Sequence, residues 1–158
     1  WSMTYWLRRF DVVDSGRLWD QEYDGGATLA NGTTNYLFSG STGNANLMVT
    51  NNTAGRPLDL TFSTDYYKGD EWHFYCHRFD GSLTLKSLMD NANEVTGTRG
   101  ASGFSPNNAT TDMTFMRTVG SGGELSAEVM DWTFWNVYIS DDNIDYLWND
   151  GNGQGVYP

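Results

Sequence analysis

The chain is poor in cysteine, proline and basic residues, and it has no long hydrophobic run. Cys76 is the one cysteine among 158 residues, which excludes a disulfide within the chain. Nine Lys and Arg stand against 20 Asp and Glu, for a formal net charge of −11. Because phosphate backbones are bound mainly through Lys and Arg, this balance argues against nucleic acid as a partner. No apolar stretch approaches the roughly 20 residues of a membrane-spanning helix, so we expect no membrane insertion.

Aromatic residues and glycine are abundant, and most segments alternate apolar and polar residues with the period of a β-strand. Strands are predicted at 1–8, 17–23, 34–40, 45–50, 58–63, 72–77, 83–89 and 112–118. Asp80-Gly81 predicts a type I′ hairpin turn, and the small, polar residues 91–111 predict a long loop. A chain of this length fits one domain, so residues 1–158 form a single unit.

The closing segment predicts a strand followed by a helix. Apolar side chains occur at both odd-numbered and even-numbered positions of residues 128–139, which indicates a strand packed on both faces. Ser140 is a suitable N-cap, and Gly151 suits the position after the helix. Ile144, Leu147 and Trp148 fall on one helical face, which predicts docking onto a sheet. Many short strands with one helix favour an all-β, antiparallel two-sheet sandwich with a short C-terminal helix.

Four segments resemble the laminin-G-like and concanavalin A-like (lectin and glucanase) jelly-roll domains. Residues 1–8 are similar to the opening F-x-I-x-x-W-V-K strand of that family, and 72–81 to W-H-H-V-A-V-x-x-D-G. Residues 85–95 are similar to L-x-L-Y-V-D-G-x-x-V, with Asp90-Asn91 in place of Asp-Gly. The closing segment is similar to I-D-E-V-R-I-Y-N followed by L-S-x-x-E-I-x-x-L-Y-N-x-G. The strand that usually precedes the first motif is absent, so we expect the domain to be part of a larger protein.

The resemblance implies a jelly roll that binds glycans or proteins. Only a minority of the domains in this family cleave glycosides. The cleaving members carry E-x-D-x-E on one strand, so that the carboxylates share a face. The nearest approach is Glu22-Tyr-Asp24, where Gly and Ala follow instead of a second glutamate. We therefore expect no enzyme. Cys76 is predicted to be a core residue, and His73 and His77 to lie on a strand surface about 13 Å apart, too far to share a metal.

The candidate binding site is a rim of loops at one end of the sandwich. An exposed aromatic ring beside amide and carboxylate groups is what sugar binding needs. The candidate carbohydrate-binding residues are Tyr66, Tyr67, Asp70, Arg99, Asn107 and Asn108. Alternatively, one tyrosine of the pair packs on the sandwich edge. The same rim predicts a calcium site, because Ca²⁺ prefers oxygen ligands. Its candidate ligands are Asp65, Asp90 and Asn93.

These observations predict a non-catalytic, lectin-like recognition or adhesion domain with a glycan or glycoprotein surface as its partner. Its parent would be an extracellular, cell-surface or virion-surface protein. The alternative is a structural assembly module, such as a capsid decoration, tail or filament protein that packs against neighbouring subunits. An edge strand without protective Lys or Pro would favour assembly.

Overall fold

The computed structural model describes residues 1–10, 16–21, 34–39, 44–49, 58–62, 70–81, 84–98, 114–115 and 126–153. Within these ranges the strands are β1 (Ser2–Arg9), β2 (Gly16–Gln21), β3 (Thr34–Ser39), β4 (Asn44–Val49), β5 (Leu58–Phe62), β6 (Trp72–Phe79), β7 (Thr84–Met89), β8 (Ala92–Thr98), β9 (Thr114–Phe115) and β10 (Ala127–Trp135). Helix α1 spans Asp141–Trp148, and a short 3₁₀ helix follows at Asn149–Gly151.

The described strands form two five-stranded antiparallel sheets, as the sequence predicts. The first sheet has the order β10-β1-β6-β7-β8, and the second has the order β5-β4-β3-β2-β9. Side chains of β1 with odd numbers, such as Met3 and Tyr5, face the second sheet. There they pack with Leu18 and Trp19 of β2, which are both fully buried. This apolar layer joins the sheets into a sandwich.

The opposite face of the first sheet is covered by α1. Trp6 and Phe74 pack there with Ile144 and Leu147 of the helix. Trp148 stacks on Trp6 with the ring centroids 5.5 Å apart. The first sheet is therefore buried on both faces. We call the face toward the second sheet the inner face and the face toward α1 the outer face.

Helix α1 begins as predicted and ends differently. Ser140 caps it, because its Oγ accepts a hydrogen bond from the Asn143 N–H at 3.3 Å. The residue that ends the helix in the left-handed conformation is Asn149, with φ 46°, whereas the sequence predicted Gly151 in that role. Asn reaches this conformation more easily than other side-chain-bearing residues, so a helix can stop before the next glycine.

The hairpins of the first sheet correct two predictions. The tight turn lies at Asp90-Asn91, where φ is 53° and 52°, as a type I′ turn requires. Asp80-Gly81 instead begins the connection between β6 and β7, and of these two residues Gly81 alone has positive φ. Residues 92–98 form β8, so the predicted loop 91–111 was wrong over this part. An edge strand needs few apolar side chains, and Val95 supplies the one large apolar contact of β8.

Strand β10 is an edge strand, and it packs on both faces as predicted. Val129 and Trp132 contact the inner core and Trp135 contacts the outer one, although no side chain of β10 is fully buried. A β-bulge at Asp131, with φ 51°, places two residues of β10 opposite Tyr5 of β1. Beyond the bulge, the alternation of inward-facing and outward-facing side chains is shifted by one residue. Trp132 therefore faces inward, where it stacks on Tyr5 with a centroid separation of 4.6 Å.

Candidate binding site

Asp70 lies at the rim where β1 ends and β6 begins. Its backbone N–H donates to the carbonyl of Arg9 at 2.6 Å, and its φ is 65°. This left-handed conformation suits Asp, whose short polar side chain tolerates it better than a branched residue. The backbone bond holds the carboxylate, which is 70 % exposed, beside the end of β1. The structure thus places one predicted sugar-binding residue at a rim of the sandwich, where it is exposed to solvent.

Three residues that sequence reasoning missed surround Asp70. Arg8 donates from Nε and Nη2 to Asp70 Oδ1 at 3.1 and 2.7 Å. Its Nη1 lies 3.7 Å from Glu128 Oε2, because the pairing of β1 with β10 sets these residues opposite each other. The Arg8 guanidinium also lies over the Phe10 ring, 5.3 Å from its centroid. We call Arg8, Phe10, Asp70 and Glu128 the rim cluster.

The rim cluster combines an exposed ring with charged hydrogen-bonding groups. Phe10 is 48 % exposed although it is apolar. Asp70 Oδ2 accepts no hydrogen bond within the described residues. Arg8 contacts two carboxylates and the Phe10 ring. The formal charge of the cluster is −1, and the surrounding chain is strongly acidic.

Asp90 lies at the same end of the first sheet, and both of its carboxylate oxygens have partners. Oδ1 accepts from the Phe74 N–H at 2.9 Å, and Oδ2 lies 2.6 Å from His73 Nδ1. Among the described residues, no group of three or more His, Cys, Asp or Glu side chains could hold a metal ion. Asp90 is the one candidate calcium ligand whose side chain the structure describes, and calcium binding stays a prediction.

The remaining predicted site residues cannot be placed. Tyr66, Tyr67, Asp65, Arg99, Asn107 and Asn108 lie outside the described residues, as does the side chain of Asn93. Thr98 pairs with Thr84, whereas Asp90 lies at the other end of β7. Strand β8 therefore returns the chain to the end of the first sheet opposite Asp90.

A second polar cluster lies between α1 and the β7–β8 hairpin. Arg78 is only 4 % exposed and donates from Nη1 to Asp141 Oδ1 at 2.6 Å and from Nη2 to Glu94. These residues line a groove of about 330 Å³ that also includes Leu88, Asn91, Ala92 and Ile144. The helix acids Asp141 and Asp145 contact Arg78 and Asn91, so they fasten α1 to the sheet.

Cys76 and His77 are structural residues. The Cys76 side chain is fully buried on the outer face, and burial raises the pKa of its thiol to about 12. Its thiolate is thus scarce at neutral pH, which does not fit a nucleophile. His77 is fully buried on the inner face, where burial lowers its pKa to about 3. The predicted surface position of His73 and His77 was wrong, because both faces of β6 are covered.

Comparison with solved structures supplies the fold. A botulinum neurotoxin DC binding domain in complex with SialylT superposes with a TM-score of 0.67 at 12% identity, covering 94% of this chain and 34% of that chain. A heptameric SAP-like pentraxin from Limulus polyphemus gives 0.62 at 14% identity, covering 96% of this chain and 70% of that one. Domains LG4-5 of the mouse laminin alpha1 chain give 0.61 at 15% identity, with 83% and 33% covered. The fold is the concanavalin A-like jelly roll.

This jelly roll spans about a third of the botulinum and laminin chains, so the activities of those proteins do not pass directly to it. No protein-family model and no curated protein sequence matches the chain. Its structural neighbours include toxin binding domains, one of which is described as a receptor binding domain. In the part of the jelly roll that the structure describes, no helix is long and apolar enough to cross a membrane.

Proposed function

We propose that the chain is a non-catalytic carbohydrate-binding domain of an extracellular, cell-surface or virion-surface protein. The rim cluster carries the proposal, because a half-exposed Phe10 ring stands beside fixed charged groups. The C–H face of a pyranose ring packs on such an aromatic surface while carboxylates accept from its hydroxyl groups. A structural neighbour, a botulinum neurotoxin binding domain in complex with SialylT, supports a binding role for this fold.

The charges of the rim cluster favour neutral sugars over sulfated or phosphorylated ones. Arg8 is already paired with Asp70 and Glu128, so it has little capacity left for an anionic ligand. The net charge of −11 further opposes polyanions. We therefore expect Asp70 Oδ2 to accept from a sugar hydroxyl group, with Phe10 as the stacking surface.

The tyrosine pair identified in the sequence fits the same site. Tyr66 and Tyr67 precede Asp70 by four and three residues. The pair therefore stays part of the proposed sugar site, next to Asp70 in the sequence.

A glycan array tests the proposal. The wild-type protein should bind neutral glycans, and Phe10→Ala and Asp70→Asn should each weaken the best interaction about tenfold, since each removes a contact worth on the order of 1.4 kcal/mol. Asn keeps the left-handed conformation at position 70 and removes only the charge. Tyr146→Ala is the matched control, because Tyr146 is 66 % exposed on α1. No binding to any glycan would reject the function, and binding untouched by either rim variant would reject the site.

Calcium at Asp65, Asp90 and Asn93 stays part of the proposal as a separate question. The ion would have to displace the contact between Asp90 and His73. Isothermal titration with Ca²⁺ should then release heat, and EDTA should lower the melting temperature of the loaded protein. No heat and no change in melting temperature would remove calcium without affecting the sugar proposal.

A further inference from the structure

Strand β10 lies at one edge of the first sheet. Within the described residues, β10 pairs with β1 on one side and with no strand on the other. Every second backbone N–H and C=O of such a strand points away from the sheet without a strand partner. Edge strands are often protected by Lys, Pro, very short length or a β-bulge, and β10 has only the bulge at Asp131. Strand β10 has nine residues and contains no Lys, Arg or Pro.

Large apolar side chains flank this edge on both faces. Met130 is 45 % exposed on the outer face, beside Glu128. Phe134 is 53 % exposed on the inner face, where it stacks on Trp1 with the ring centroids 5.9 Å apart. A strand placed beside β10 would cover Met130 from one face and Phe134 from the other, since its own side chains alternate in the same way.

The charges along the edge determine which kind of segment can pair with β10. Glu128 and Asp131 are both exposed on β10. A second copy of the chain would bring the same acids and another net charge of −11 to the interface. Like charges placed across a strand pair are destabilising, so pairing between copies is disfavoured. An extended segment carrying Lys or Arg meets opposite charges at the same positions.

We propose that the free edge of β10 binds an extended, basic segment of another protein by adding it as a further strand of the first sheet. Main-chain hydrogen bonds supply affinity, Met130 and Phe134 pack against the apolar side chains of the segment, and Glu128 and Asp131 select basic residues. The bulge at Asp131 divides the edge. The bound segment would therefore pair with the four residues Ala127–Met130 before the register shifts. Of these side chains, only Glu128 is shared with the rim cluster.

The probe is a short capped peptide that alternates Val and Lys. Its binding should raise the hydrogen-exchange protection of amides in Ala127–Trp135 and weaken as salt is added. A peptide with Glu in place of Lys should not bind. The Val-Lys peptide N-methylated on the edge that faces β10 should not bind either, because it keeps the side chains and loses the donors. Equal binding of the N-methylated peptide, or protection outside β10, would overturn the proposal.

Variants of the exposed edge complete the test. Met130→Lys should weaken peptide binding at least about tenfold, since it removes apolar contact and adds repulsion. Val137→Lys is the matched control, because Val137 is 56 % exposed just beyond the strand, and it should change affinity less than about twofold. Asp131→Asn keeps the bulge conformation and should weaken binding about two- to fivefold. Equal effects of the two Lys variants would overturn strand addition.

Light scattering tests the alternative occupant. A wild-type dimer that Met130→Lys abolishes would identify a second copy of the chain as the occupant and overturn the basic partner.

Glycan binding distinguishes this proposal from the rim proposal. Met130→Lys leaves Phe10 and Asp70 untouched, so its glycan profile should equal that of the wild type. Loss of peptide binding with retained glycan binding supports both proposals separately.

Discussion

At the scale of single residues, His77 shows how neighbours decide the role of a side chain. Its Nε2 lies 2.6 Å from the Tyr5 hydroxyl group, and its Nδ1 lies 2.7 Å from Ser87 Oγ. A neutral imidazole donates from one nitrogen and accepts at the other, so both bonds can form without a charge. The ring is therefore satisfied between two sheets, where an ionised ring would be costly.

Replacing Tyr5 by Phe tests this bond. The variant leaves one buried nitrogen of His77 without this partner, so we expect the free energy of unfolding to fall by about 1–3 kcal/mol. Urea denaturation followed by fluorescence measures the change. Tyr146→Phe, at a residue that is 66 % exposed, should stay within about 0.5 kcal/mol of the wild type. An unchanged stability of Tyr5→Phe would show that the hydrogen bond contributes nothing net.

At the scale of elements, the sequence predicts structures that rest on local chemistry. Ser140 and the spacing of Ile144 and Leu147 define α1 correctly, because capping and helical periodicity act within a few residues. Strand β8 was missed because its pairing with β7, rather than its own side chains, makes it a strand. The bulge at Asp131 is equally invisible, since it depends on the register with β1.

The bulge gives a prediction at this scale. Asp131→Val places a β-branched residue at a φ of 51°, which should cost about 1–2 kcal/mol of unfolding free energy. Asp131→Gly and Asp131→Asn should stay close to the wild type, because both residues accept the left-handed conformation. Thermal unfolding of the three variants supplies the comparison. A Val variant as stable as the Gly variant would mean that the strand shifts its register instead of keeping the bulge.

At the scale of the whole molecule, the site is harder to predict than the sandwich. Alternation of apolar residues indicates two sheets, and the resemblance to jelly-roll domains agrees with the observed fold. Asp70 was predicted from its local composition. Arg8 and Glu128, by contrast, come together from positions 120 residues apart in the sequence, through a strand pairing that no local pattern specifies. The rim cluster is thus a product of topology.

The inner core also links the stability of the whole molecule to pH. Burial lowers the pKa of His77 from 6.5 to about 3, so between these values the unfolded chain takes up a proton that the folded chain does not. The contribution of His77 to stability is complete above about pH 6.5 and falls by about 1.4 kcal/mol per pH unit as the pH drops toward 3. Carboxylates titrate in the same range, so the test compares two proteins. Urea midpoints of the wild type and His77→Gln, measured from pH 7 to pH 4, should converge as the pH falls, because Gln cannot take up the proton. Parallel profiles would show that His77 is protonated in the folded protein and that the core tolerates its charge.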